Sequence, residues 1–328
     1  MSDSFVPVFG WRPDPAAVAA VLAQLPRPHF SAAAPHLAGT GEKADVFAWE
    51  VEEKVLGKRL PAWDQSSIGS CVSHGWGRAV QDVLLAQVAL GNVEQWPGFE
   101  VCREAIYGGS RVQVGGERGS YDDGSVGAWA AKWVKDFGVL FYTKYDGYDL
   151  TGGYDVRRCK EWGAGGCPQP LEPTARLHPV KDVTQTTTPE QVRDAVANLH
   201  FVAVCGQTSR VMKRRPGGWC PKTGNDWPHC EEIAGVCVVA GGASSPFGGG
   251  GAAPFAGDTP AFAERNSWGD YLGSDNNAVK LASGREVQLP DGVYLSTFEE
   301  RAADFREGDT FAASAFVGFP AQRLEWWV

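Results

Sequence analysis

What this sequence lacks narrows it first. No run of eighteen or more apolar residues occurs, so no membrane-spanning helix is expected. Met1 to Pro26 has no basic start followed by a continuous apolar core, so no secretory signal is expected, and the cytoplasm or a larger assembly is the expected setting. There is no basic excess. Lys and Arg number 30 against 39 Asp and Glu, a net charge of −9 spread along the chain, which argues against nucleic acid and anionic membranes as partners. None of the eight cysteines sits in a CxxC pair. Free thiols in a reducing compartment are the first expectation, and Cys159 with Cys167 is the pair to expect if a disulfide exists. Cys220, His229 and Cys230 are too irregularly spaced to predict zinc, so neither metal nor cofactor is expected. No internal repeat is evident.

What is present begins with 43% hydrophobic residues over 328, a globular composition with enough chain for a sizeable core. The organising stretch runs from Asp64 to Gly75. A small-residue turn, Gly69-Ser70, delivers Cys71 to a predicted helix. Val72, Trp76, Val80, Val83, Leu84 and Val88 recur at helical spacing, and Gly91 stops it. A cysteine in the first turn meets unpaired backbone N–H groups and the positive end of the helix dipole. Both favour the thiolate. Gln65 lies close enough to reach back, and its side-chain N–H with the Cys71 N–H can form an oxyanion hole.

The run Gln65-(x)3-Gly69-Ser70-Cys71 before a helix resembles the nucleophile segment of papain-like cysteine peptidases. His229 and then Asn266-Ser267-Trp268-Gly269 follow in that family's order. The resemblance covers roughly residues 60–320. It implies an α+β, two-lobed papain-like fold: a helical lobe carrying the nucleophile helix, about 61–185, and a lobe of antiparallel sheet or barrel, about 186–320. With it goes a division into an N-terminal arm, 1–60, and a catalytic domain, 61–328. The implied chemistry is peptide-bond hydrolysis. Cys71 is the nucleophile, His229 the general base and acid, Asn266 its orienter, and Gln65 the oxyanion donor. Trp268 shields the His229–Asn266 bond and borders the substrate, and Gly124 offers its backbone to an extended peptide. The pattern departs from the family at Ile68, where the signature has a disulfide-forming cysteine, and at Val72, where it has an aromatic. His229 and Asn266 also fall farther from Cys71 than usual, so insertions are expected.

Elsewhere, Asp14-Pro15 opens a short Ala-rich helix, and residues 27–42 read as an extended arm. The N-terminal arm as a whole, 1–60, reads first as a packing or docking element and second as a cover for the cleft. Val126 to Phe137 predicts an amphipathic helix, with Ser125 as N-cap. Residues 151–180 read as a surface excursion. Thr188-Pro189-Glu190-Gln191 opens a helix with a capping box, followed by a strand at Phe201–Cys205. The basic loop 207–228 reads as solvated. Strands are expected at Ile233–Ala240, Gly292–Leu295 and Phe311–Val317, with a Gly-rich insertion at 241–261. The tail, ending Trp326-Trp327-Val328, is expected to pack on this chain or a partner.

His74, one helical turn past Cys71, with His178 and His200, rivals His229 as the base. Two other function classes stay open. One is a papain-like domain serving mainly as an assembly component, a virion part among the options, through the arm or tail. The other is a peptidoglycan-directed thiol amidase or transglutaminase. A neutral Asn266 as third member speaks against that second class.

Overall fold

The computed structural model describes residues 7–93, 100–177, 180–241 and 257–324. The expected tail packing of Trp326 and Trp327, His178 as a base, and most of the insertion at 241–261 lie outside these residues. The helices that position the site are α1 (Pro15–Leu22), α2 (Ala48–Leu56), α3 (Cys71–Ala89), α4 (Arg103–Gly108), α5 (Gly127–Asp136), α6 (Val156–Gly165), α7 (Pro189–Ala197) and α8 (Phe298–Glu307). The strands of the main sheet are β1 (Val46–Phe47), β2 (Asp182–Gln185), β3 (Val202–Gly206), β4 (His229–Val239), β5 (Thr259–Arg265), β6 (Val293–Thr297) and β7 (Thr310–Ser314).

Among the described residues the sheet has seven strands, in the order β6-β5-β4-β3-β7-β2, with β1 added to the far half of β4. Every pairing in it is antiparallel. β4 is the long central strand. Val202 to Gly206 pair with its first half, and β5 runs along the other side. Buried on both faces, β4 reads as a near-continuous apolar run after its polar start. The α+β architecture, helices on one side and antiparallel sheet on the other, matches the expectation.

Helix α3 is buried along Cys71–Gln87, because it lies between β4 on one side and α2 and α4 on the others. Gly75 makes that approach possible. A Cβ there would lie 3.0 Å from Cys230 Sγ and 3.1 Å from the Glu231 carbonyl oxygen. Two charge networks flank β4 in the same core. Arg265 meets Glu52 at 3.0 Å, Asp82 at 2.7 Å and Glu232 at 3.1 Å. Arg301 meets Glu231, Glu264 and Asp304.

Several local expectations shift. Ser125 does not cap α5; that helix begins two residues later, and the Gly127 N–H goes to Asp309 Oδ2, 2.8 Å away. Ser125 Oγ instead meets Ser110 Oγ at 2.8 Å. The described part of 151–180 is not a surface excursion, since α6 buries Cys159 and Trp162 and Cys167 is buried beyond it. Cys159 and Cys167 are free thiols. At α7 Thr188 accepts from the Gln191 N–H as expected, but Gln191 Oε1 reaches the Thr187 N–H rather than closing the box on Thr188. The loop 207–228 is less solvated than its charge suggests. Arg210 and Arg214 are buried, with Arg214 donating to the carbonyls of Val293 and Gly273, each at 2.7 Å.

Candidate active site

Cys71 is the first residue of α3, as its sequence position predicts. Ser70, before it, makes no side-chain cap, but its carbonyl gathers Ser73 Oγ at 2.9 Å and His74 Nδ1 at 3.0 Å. The Gln65 segment and the Asn-Ser-Trp-Gly segment, some two hundred residues apart, are joined by backbone. The Gln65 N–H donates to the Ser267 carbonyl and the Gly269 N–H to the Trp63 carbonyl, each at 2.8 Å. Ser267 Oγ donates to Gln65 Oε1 at 2.6 Å, which turns Gln65 Nε2 the other way.

His229 opens β4, and its Nε2 lies 3.0 Å from Asn266 Oδ1. Asn266 Oδ1 also accepts the Ser267 N–H at 2.6 Å, which fixes the amide with its oxygen toward the imidazole. His229 Nε2 therefore carries the hydrogen, and Nδ1 carries the lone pair. That Nδ1 is buried with no hydrogen-bond partner among the described residues. Trp268 stacks on the imidazole, with centroids 4.5 Å apart and planes 27° apart. Strand β4 thus supplies both the ring and, one residue on, the Cys230 N–H that faces the Cys71 sulfur. The rival histidines point elsewhere: His74 to the Ser70 carbonyl, and His200 Nε2 to the Pro320 carbonyl at 2.8 Å.

Residues 8–12 run through this site. The Gly10 and Trp11 N–H groups reach the Pro228 carbonyl at 3.3 and 3.1 Å. The Ser125 N–H donates to the Gly10 carbonyl at 2.8 Å, and the Arg12 N–H to the Ser125 carbonyl at 2.9 Å. Backbone pairing with an extended segment therefore comes from Ser125, one residue after the predicted Gly124. Gly124 spends its own N–H on Tyr107 Oη and its carbonyl on Arg111. Its part is clearance: φ is +99°, and a Cβ would lie 2.7 Å from the Gly10 carbonyl oxygen.

Side chains anchor the same segment on both sides of the sulfur. Phe9 lies against Trp227, Trp268 and His229, at centroid distances of 5.6, 6.0 and 6.1 Å. Trp11 is buried and donates from Nε1 to Asp309 Oδ2 at 2.6 Å. Arg12 pairs with Glu117 at 2.6 Å. Residues 8–12, part of the N-terminal arm, thus pack against Pro228, Ser125, His229 and Trp268. Composition could not reveal this, since part of the anchoring is by backbone groups of Pro228 and Ser125 that any residue carries.

Burial, then the neighbouring Cys230, pushes the Cys71 thiol well above its ordinary range, against the N–H groups of Cys230, Gly10 and Val72 that favour the thiolate. Burial also lowers His229 to about 3, against the hydrogen bond to Asn266. With the segment in place burial opposes ionisation of both groups, against the thiolate-favouring N–H groups at the helix terminus.

No family model matches the chain, and no curated protein matches it. Solved structures do. Xylellain, a cysteine protease from Xylella fastidiosa, is similar over 94% of this chain and 91% of its own, at 15% identity and TM-score 0.50. Digestive procathepsin L 3 of Tenebrio molitor larval midgut is similar over 90% and 77%, at 14% identity and TM-score 0.53. A procathepsin B from Trypanosoma congolense is similar over 94% and 86%, at 11% identity and TM-score 0.53. Joined to the antiparallel sheet and the cysteine-led helix, these likenesses give the chain the papain-like fold, in a divergent form.

Proposed function

We propose that this protein is a cysteine peptidase, and that residues 8–12 hold it in a latent state. The observation that carries the first part is the His229 Nε2–Asn266 Oδ1 bond, with the Cys71 sulfur at the start of a helix and against the N–H of the next residue, Cys230. In the reaction the Cys71 sulfur attacks a peptide carbonyl carbon, and His229 Nδ1 takes the thiol proton. The carbonyl oxygen gains negative charge and accepts hydrogen bonds from Gln65 Nε2 and the Cys71 N–H. As the C–N bond breaks, His229 returns its proton to the leaving amine. Water then cleaves the thioester, with His229 again taking the proton. Asn266 keeps the imidazole in the required tautomer, and Trp268 covers that bond.

The latent state rests on a different observation: the Val8 carbonyl accepts from Gln65 Nε2 at 3.1 Å while Phe9 and Trp11 fill the cleft on either side. The test is labelling by an epoxide-type thiol inhibitor, in the whole chain and in a variant with residues 8–12 loosened. Labelling that depends on Cys71 and increases when the segment is loosened supports both parts. Equal labelling of Cys71→Ala removes the peptidase reading and leaves the assembly-component alternative, served by the same papain-like fold.

A further inference from the structure

Trp11 is the one buried side chain of residues 8–12, and its Nε1 donates to Asp309 Oδ2 at 2.6 Å. It sits next to the nucleophile. Its neighbour Gly10 turns an N–H to the Cys71 sulfur, and Trp11 itself bridges to Ser125. The indole therefore fills a seat in the cleft whose polar contact is a carboxylate.

Asp309 is buried just before β7, and the start of α5 holds it there. The Gly127 N–H donates to Oδ2 at 2.8 Å, and the Ala128 N–H also favours the carboxylate. The carboxylate is pressed against backbone, since a Cβ on Gly127 would lie 2.8 Å from Asp309 Oδ1 and 2.6 Å from Cys205 Sγ. None of these contacts depends on Trp11. When the indole leaves, the acceptor stays in place and loses one donor. Its other oxygen, Oδ1, meets no hydrogen-bond criterion among the described residues. Its charge is also unmet. Among the described residues Asp309 forms no ion pair, and Asp14 and Glu307, both acidic, oppose its charge. A buried carboxylate with a vacated acceptor and acidic neighbours favours a cation over a neutral guest, and excludes another carboxylate.

We propose that the seat of Trp11 is where this peptidase selects its substrate, and that Asp309 makes it select a basic side chain, arginine or lysine, whose N–H groups take the place of the indole N–H. This rests on the peptidase reading above and on the release of residues 8–12. Tryptophan is then the chain's own neutral occupant: it supplies one donor and no charge, so it fills the seat without matching the carboxylate. A guanidinium brings both the charge and a fork of donors. Leucine has only apolar contact to offer, and glutamate meets a like charge.

The test starts from Trp11→Ala in the whole chain, which empties the seat. Calorimetric titration compares butylguanidinium with butylurea, a neutral guest of the same shape. It is run at about pH 8, where a carboxyl raised to about 6 is ionised. Butylguanidinium is expected to bind about tenfold more tightly, the scale of one hydrogen bond to a charged partner. Adding Asp309→Asn is expected to erase the difference. Equal binding of the two guests, or no binding, overturns the proposal, as does a difference that persists without the carboxylate. If the double variant fails to fold, the comparison in Trp11→Ala decides the matter. A second measurement follows hydrolysis by Trp11→Ala of peptides varied one residue at a time. One position is expected to show the highest kcat/KM with arginine or lysine, and the arginine-to-leucine ratio there to fall about tenfold with Asp309→Asn. An unchanged ratio overturns selection by Asp309. Guest binding needs no cleavage, so a protein that prefers butylguanidinium yet cuts no peptide removes the peptidase reading while supporting the cation seat.

Discussion

The Val8 carbonyl oxygen lies 3.1 Å from Gln65 Nε2, and Trp268 Nε1 donates to the same oxygen at 3.1 Å. The donor proposed to stabilise an oxyanion is occupied by the chain's own backbone. A substrate carbonyl has to displace that contact before it can be polarised.

Gly10 gives the sharpest way to test this cover. A Cβ at Gly10 would overlap the Gly69 carbonyl, which is backbone just before the nucleophile and cannot swing aside. Overpacking of this kind typically costs about 1–3 kcal/mol. The cost falls on the covered state alone, because a released segment has room for a methyl group. Gly10→Ala is therefore expected to raise Cys71 labelling and peptide hydrolysis by about tenfold or more. The melting temperature should fall modestly. Unchanged labelling with a stable fold would mean that the segment does not control access.

In the Gly10→Ala background, Gln65→Ala should lower kcat by about 10²–10³, the usual loss for one oxyanion donor. Gln65→Glu is the informative companion. It keeps an acceptor for Ser267 Oγ, now 2.6 Å from Gln65 Oε1, but has no N–H to give. If donation to the oxyanion is Gln65's role, both variants lose kcat alike, with KM little changed. If the Gln65→Glu variant retained full activity, Gln65 would be only a tie to the Ser267 segment.

The parts of this molecule readable in the sequence are those coded locally. α3 follows from apolar spacing behind Cys71, and α1 from Asp14 with Pro15, where Asp14 Oδ1 does accept the Ala17 N–H at 2.9 Å. The position of His229 at the head of a strand also follows, though the strand starts at His229 itself rather than at Ile233. What escaped was coded by distant partners. Gly127 is capped by Asp309 across the fold. α4 and the π-helical turn after it, Gly109–Val114, carry an irregular apolar pattern that gains its meaning only against α6 and α5. Likewise, nothing in Phe9-Gly10-Trp11 announces a cleft occupant until Trp227, Trp268 and Asp309 surround it.

The protonation states of Cys71 and His229 give a kinetic prediction. Burial holds the thiol up and the imidazole down at about 3, so both groups resist ionisation while covered. Alkylation by iodoacetamide, followed by mass spectrometry of the Cys71 peptide, should be slow in wild type at pH 6–8 and still climbing at pH 9. In Gly10→Ala, solvent and the helix terminus should restore the thiolate–imidazolium pair, giving a fast rate already near pH 6 that changes little with pH. Parallel pH profiles in the two proteins would show that burial by residues 8–12 does not set the thiol's reactivity.

His200 gives a separate prediction, about stability and remote from the cleft. Its Nε2 donates to the Pro320 carbonyl, its Nδ1 meets no hydrogen-bond criterion among the described residues, and burial, opposed by the bond to Pro320, lowers it from 6.5 to about 4. The sign follows from which state binds the proton. Between about pH 4 and pH 6.5 the unfolded imidazole is protonated while the folded one is not, so the unfolded state holds the extra proton and stability is lost as the pH is lowered. The contribution is complete above about pH 6.5 and is lost progressively toward pH 4, a swing of up to about 3 kcal/mol for this one group. His74 and His229 push in the same direction, while Asp82 and Asp309, each raised by burial to about 6, push the other way. The net curve alone is therefore not diagnostic. The difference between wild type and His200→Gln is, because glutamine can still donate to Pro320 and does not titrate. Urea unfolding at pH 7.0 and pH 5.0 should show wild type losing more stability than His200→Gln over that interval. Equal losses would mean that His200 is hydrated in solution and its proton uncoupled from folding.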